Sequence, residues 1–123
     1  MSVIVVGTMA FDAIETPFGK SGQIVGGSAT YLAWAATNFV HNLKQVSVIG
    51  NDFPQEELDA LAKRGVMLDG VERKKDEKSF FWAGRYHLDM NTRDTLDTQL
   101  NVLANFDPKI PDSYQGAEFL MLG

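Results

Sequence analysis

Cysteine is absent from the 123 residues, which excludes disulfides, thiolate nucleophiles and any zinc site built on sulfur, and fits a reducing cytoplasm. Histidine occurs only twice. Neither histidine stands with carboxylates at metal-ligand spacing, so no metal site made by this chain alone is expected. Long apolar runs are missing too, since nothing approaches the roughly twenty residues of a membrane span. The opening "SVIVVG" lacks the basic region and length of a signal peptide. A cytoplasmic location is therefore expected. Basic residues are few: 11 Lys and Arg face 16 Asp and Glu, for a net charge of −5. With the short "ERKK" of Glu72–Lys75 as the one basic cluster, neither nucleic acid nor an anionic membrane is expected as a partner. The turn after the first apolar run, "VVGTMAFD", also lacks the G-x-G-x-x-G spacing of a dinucleotide binder, which counts against that class.

What is present is ordinary globular composition, 45% hydrophobic and 22% charged, enough for one domain or part of one. The run Ser2–Gly7 is β-branched and closed by glycine, the pattern of a strand covered on both faces of a parallel sheet. After it, Pro17, Gly19 and Gly22 punctuate two short apolar pieces and predict a hairpin or irregular excursion. Ala29, Leu32, Ala33, Ala36 and Val40 form one helical stripe from Ser28 onward. "QVSVIG", Gln45–Gly50, reads as a second buried strand. "NDFPQEELDALAKRG" predicts a helix with Asp52 as N-cap, Pro54 in its first turn, a stripe of Leu58, Leu61 and Ala62, and Gly65 at its end. Strand, excursion, helix, strand, helix is the order of a parallel sheet with crossover helices. Between Val71 and Val102, aromatic and β-branched residues in partial alternation predict antiparallel strands separate from the main core. "AEFLMLG" at the end predicts a third parallel strand, which makes the chain read as an incomplete domain.

Gly26 and Gly27 stand where the first helix must start. In an α/β sheet, ligands bind beyond the carboxyl ends of strands, and helix-start N–H groups are donors there. On the residues alone, a tight turn before a packed helix and a ligand site account for the pair equally well. For Asp12 a solvated loop acid is the plainer reading.

Three motifs in order, "VIVVGTMAFDAI", "IVGGSATYLAWAATNF" and "VSVIGNDFPQEELDALAKRGV", resemble the first strand, the di-glycine signature and the second strand with its helix in the PfkB or ribokinase-like family of carbohydrate and nucleoside kinases. The resemblance implies a three-layer α/β/α fold with a central, mostly parallel sheet and a small β lid. Residues 1–123 would be its N-terminal part, with lid segments at about 12–26 and 71–102. It further implies that Asp12 grips substrate hydroxyls and that Gly26 and Gly27 line the sugar pocket. Tyr31 departs from the family, many of whose members carry asparagine near this place. Asn51 at a strand end, and Arg85 and His87 in the lid, are further candidates for substrate contact, with Arg93 and the aromatics Phe81, Trp82 and Tyr86 nearby.

The activity implied is ATP-dependent, magnesium-dependent phosphorylation of a sugar or nucleoside hydroxyl. No catalytic residue is expected in this chain, because the family's base lies in a C-terminal "GAGD"-like motif that nothing here matches. ATP and magnesium would be bound mainly by the missing half, leaving the 123 residues inactive alone. The alternative from another class is a non-catalytic sugar-binding or assembly module, and a homodimer through the lid strands is open on either reading.

Overall fold

β-Branched runs form the main sheet, and the spacing between them leaves room for crossover helices. The computed structural model describes all residues 1–123, and in it β1 (Ser2–Val6), β2 (Ala10–Thr16), β3 (Gly19–Gly26), α1 (Ser28–Ala36), β4 (Asn42–Gly50), α2 (Gln55–Lys63), β5 (Val66–Lys74), β6 (Phe80–Tyr86), β7 (Arg93–Gln99) and β8 (Phe119–Leu122) follow in turn. Two short 3-10 turns, Asn101–Asn105 and Asp112–Tyr114, lie between β7 and β8. The main sheet has the order β5-β4-β1-β8 and is parallel throughout, with β1 internal as its apolar run predicts. The steps β1 to β4 to β5 run in one direction across the sheet, so right-handed crossovers put α1 and α2 on the same face. There Val3, Val5, Leu43 and Ile49 pack against Ala29 and Ala33 of α1 and Leu61 of α2 in one core cluster. The small Ala29 and Ala33 let α1 approach the sheet closely.

On the other face Ile4 and Val46 meet the fully buried Tyr114. The Tyr114 hydroxyl accepts the Gly70 N–H at 2.8 Å and sits 2.7 Å from the Met67 carbonyl and 2.9 Å from the Gln45 carbonyl. It thus pins the 100–118 segment to the sheet beside the register shift between Lys44 and Val46. All four residues of β8 are exposed. No helix is long and apolar enough to cross a membrane.

A second, smaller sheet has the order β3-β2-β6-β7. The β2–β3 hairpin and the β6–β7 pair are antiparallel, while β2 and β6 run parallel with Phe11 opposite Phe81 and Asp12 opposite Trp82. Four expectations need correction. Val71–Lys74 belong to β5 of the main sheet, so the second segment of the small sheet begins at Phe80. That sheet is mixed, because β6 enters it from the main sheet in the same direction as β2. The first helix ends at Ala36: Thr37 Oγ1 donates to the Trp34 carbonyl at 3.0 Å, and Asn38 Nδ2 donates to the Ala35 carbonyl at 3.1 Å. These side chains occupy the last carbonyls and close the helix, leaving Val40 to pack on the core from beyond it. Finally, Pro54 occupies the N-cap of α2, because Asp52 Oδ1 accepts the Ser79 N–H at 2.8 Å.

Candidate functional site

Gly27 sits at the N-cap of α1 with φ +99°, a conformation that glycine adopts at low cost. A Cβ there would lie 2.4 Å from the Thr8 carbonyl oxygen and 2.9 Å from the Ala10 nitrogen. The close approach comes from a lock between residues twenty apart. Ser28 N–H donates to Thr8 Oγ1 at 3.0 Å, Ala29 N–H donates to the Thr8 carbonyl at 2.9 Å, and Thr8 N–H donates to Ser28 Oγ at 3.1 Å. Two of the helix-start donors expected to be free for a ligand are therefore spent on Thr8. What Gly27 provides is room for the Thr8–Ala10 backbone to pack against the start of α1, at the junction of the two sheets.

Asp12 faces that junction. Cross-strand register sets its side chain in a row between Ile24 on β3 and Trp82 on β6, all on one face of the small sheet. A Cβ on Gly26 would fall 2.0 Å from Asp12 Oδ2, so the carboxylate occupies the room that the missing side chain leaves. Burial pushes the Asp12 carboxyl above the ordinary aspartate value, and no protein hydrogen bond or cation offsets it. Trp82 is held rigidly as a wall. Its Nε1–H donates to Thr95 Oγ1 at 3.2 Å, its ring fills the space beside Gly84, and the Arg93 guanidinium lies 5.8 Å from its centroid. A half-buried carboxylate with no internal donor, between an aliphatic and an aromatic wall, is suited to accepting hydrogen bonds from a ligand's hydroxyls.

The structure thus brings Asp12, Gly26 and Gly27 together. Tyr31 stands one helical turn beyond Gly27, to whose carbonyl its N–H donates at 3.2 Å, with its side chain 58% exposed. The other candidates are engaged elsewhere. Asn51 holds the turn before β6, its N–H donating to the Glu77 carbonyl at 2.8 Å and its Nδ2 to the Lys75 carbonyl at 2.9 Å. Arg85, three residues beyond Trp82, projects from the opposite face and pairs with Glu15 at 3.4 Å. His87 Nε2 meets Asp94 Oδ2 at 2.8 Å at the exposed end of the β6–β7 hairpin. Thr8, Ser28 and Ile24 were not legible as site residues, because their roles come from pairing across the chain. No group of three or more His, Cys, Asp or Glu is placed to hold a metal ion.

No family model and no curated protein matches this sequence. Solved structures do. The ribokinase of Cryptococcus neoformans var. grubii serotype A in complex with ADP superposes with a TM-score of 0.74 at 17% identity, over 98% of this chain and 41% of that one. A nucleoside kinase of Methanocaldococcus jannaschii, a ribokinase-family member, gives 0.72 at 17% identity over 99% and 44%. The Burkholderia thailandensis nucleoside kinase in complex with inosine gives 0.66 at 20% identity over 81% and 36%. The fold is therefore ribokinase-like α/β with a parallel main sheet and a small second sheet, and the chain spans less than half the length of each of these structures.

Proposed function

We propose that these residues form the acceptor-binding part of an ATP-dependent kinase that phosphorylates a hydroxyl of a sugar or nucleoside. The observation that carries the reading is the Asp12 carboxylate, free of protein donors, lodged over Gly26 and beside the Gly27 main chain. A carboxylate accepts from two hydroxyls at once, which fits a vicinal diol, and Trp82 and Ile24 offer apolar faces for the ring that carries it. The contribution of this chain is orientation: Asp12 fixes the ring, and the small sheet excludes water. ATP and magnesium fall mainly outside residues 1–123 on this reading, and two of the first α1 N–H groups are taken by Thr8. Their binding is assigned to other parts of a kinase of the size of the similar structures.

Calorimetric titration of adenosine, inosine and D-ribose into the wild-type chain and an Asp12→Ala variant tests the reading. Binding of at least one of these by wild type and its loss in Asp12→Ala is expected; equal binding by both proteins refutes the role of Asp12. A companion proposal concerns assembly. β7 is an edge strand exposed along all seven residues, and its pairing with a second copy predicts a dimer in sedimentation equilibrium.

A further inference from the structure

The face of the small sheet opposite Asp12 carries a cavity of about 420 Å³. Side chains alternate along each strand, so the row Val25, Phe11, Phe81 and Gln99 lies on the reverse side from Ile24, Asp12, Trp82 and Thr98. Phe11 is buried and stacked against Phe53, with ring centroids 5.9 Å apart, and Phe81 beside it is half-exposed. Together they make an aromatic floor. Around it stand three carboxamides, Gln23, Gln99 and Asn101, and one charge of each sign, Lys78 and Asp52. The rim is rigidly held. Ser79 is fixed three ways: its N–H donates to Asp52 at 2.8 Å, its Oγ accepts from the Gly50 N–H at 2.9 Å, and its carbonyl accepts from Asn101 Nδ2 at 2.9 Å. Asn101 itself is in the left-handed region, at φ +49°, which asparagine adopts more readily than other non-glycine residues.

We propose that this cleft binds a neutral planar nitrogen heterocycle of the nucleobase class, seated on Phe81 and read along its edge by the Gln23 and Gln99 carboxamides. An aromatic floor favours a flat ring. Gln23 presents both a donor and an acceptor, and Gln99, whose Nε2 donates to Asp97 Oδ2 at 2.8 Å, keeps its carbonyl oxygen and a second N–H, which matches the alternating donors and acceptors of a base edge. Among the lining residues Lys78 and Asp52 cancel, and with the Asp97 carboxylate held on Gln99 the cleft selects against free phosphate. Its volume falls within the range of small-molecule sites. The cleft is separate from the acceptor site and stands whether or not that site binds a nucleoside.

The test is titration of free adenine, which has no ribose diol for Asp12, into the isotopically labelled 123-residue chain, followed by amide NMR shifts. Saturable shifts at Gln23, Phe81, Gln99 and Asn101 are expected. Gln23→Ala and Gln99→Ala, both at exposed positions, should each weaken adenine by about fivefold, the loss of one hydrogen bond. Shifts centred on Asp12, Gly26 and Trp82, unchanged affinity in both variants, or no saturable shift at all would each overturn the proposal.

Discussion

Alanine at Gly26 and alanine at Gly27 should separate binding from folding, although the two positions are adjacent. At Gly27 the new Cβ would meet only backbone, the Thr8 carbonyl oxygen at 2.4 Å and carbon at 2.8 Å, in a residue held at φ +99°. Strain of that kind costs about 1–3 kcal/mol. Moving Thr8 also weakens its bonds to the Ser28 and Ala29 N–H groups, each worth about 1 kcal/mol. Gly27→Ala is therefore expected to lose about 3 kcal/mol or more, and about 12 °C in Tm at the scale of small domains. At Gly26 the obstructing atoms are the Asp12 carboxylate, at 2.0 Å from Oδ2 and 2.8 Å from Cγ, and that side chain turns about its own torsions. Gly26→Ala should keep stability within about 1 kcal/mol while expelling the carboxylate from the site. Losing its hydrogen bonds to two hydroxyls, at about 1.5 kcal/mol or more each, weakens diol binding by about a hundredfold. Urea titration by circular dichroism reads the first quantity and calorimetry with adenosine the second. The reverse pattern, with Gly27→Ala nearly neutral and Gly26→Ala losing about 3 kcal/mol, refutes the geometry.

Three further perturbations follow from the same structure. Tyr114→Phe keeps the buried ring but leaves the Gly70 N–H and the Met67 and Gln45 carbonyls short of a partner, so the urea midpoint should fall by the equivalent of about 2 kcal/mol; a change under about 0.5 kcal/mol would show that the hydroxyl does not pin the sheet. Trp82→Ala should weaken adenosine about fivefold and Trp82→Phe much less, as the loss of an aromatic wall predicts; equal losses would remove the wall from the account. Because burial raises the Asp12 pKa above 3.8, the native state holds that proton more tightly than the unfolded state. The stability this gives is present below pH 3.8 and is lost as pH rises through the raised value. Asp12→Asn should accordingly gain on wild type across that window, whereas wild-type diol affinity should rise over the same range; a pH-independent difference in urea midpoint would contradict the first, and a pH-independent affinity the second.

Elements whose signal is local were legible in the sequence. The β-branched runs at Ser2–Val6 and Gln45–Gly50 and the apolar stretch at Phe119–Leu122 became strands, and the punctuation around Gln55–Lys63 marked a helix. β5 was expected only from Val71 and in the wrong sheet, because "VMLDGVERK" places Gly70 and four charged residues inside a strand. Its glycine is explained only by tertiary contact, since a Cβ at Gly70 would meet the Gln45 carbonyl at 2.6 Å and the Tyr114 ring at 2.7 Å. Asp52 shows the same limit: the local capping pattern is sound, yet the Ser79 N–H, 27 residues away in sequence, claims the carboxylate. At the candidate site, Asp12, Gly26 and Gly27 were singled out from the chain and Trp82 was named among the nearby aromatics, whereas the placing of Ile24 and Trp82 on either side of Asp12 and the Thr8–Ser28 lock arise from strand register and packing that no local pattern encodes.

The central claim is that Asp12 grips a diol beside Gly26 and Gly27. Amide NMR of the labelled chain with adenosine and with 2′,3′-dideoxyadenosine, which keeps the base and lacks the diol, tests it most directly. The account predicts saturable shifts at Asp12, Gly26 and Gly27 with adenosine and none at those three residues with the dideoxy compound. Equal shifts there with both ligands, or with neither, would contradict it.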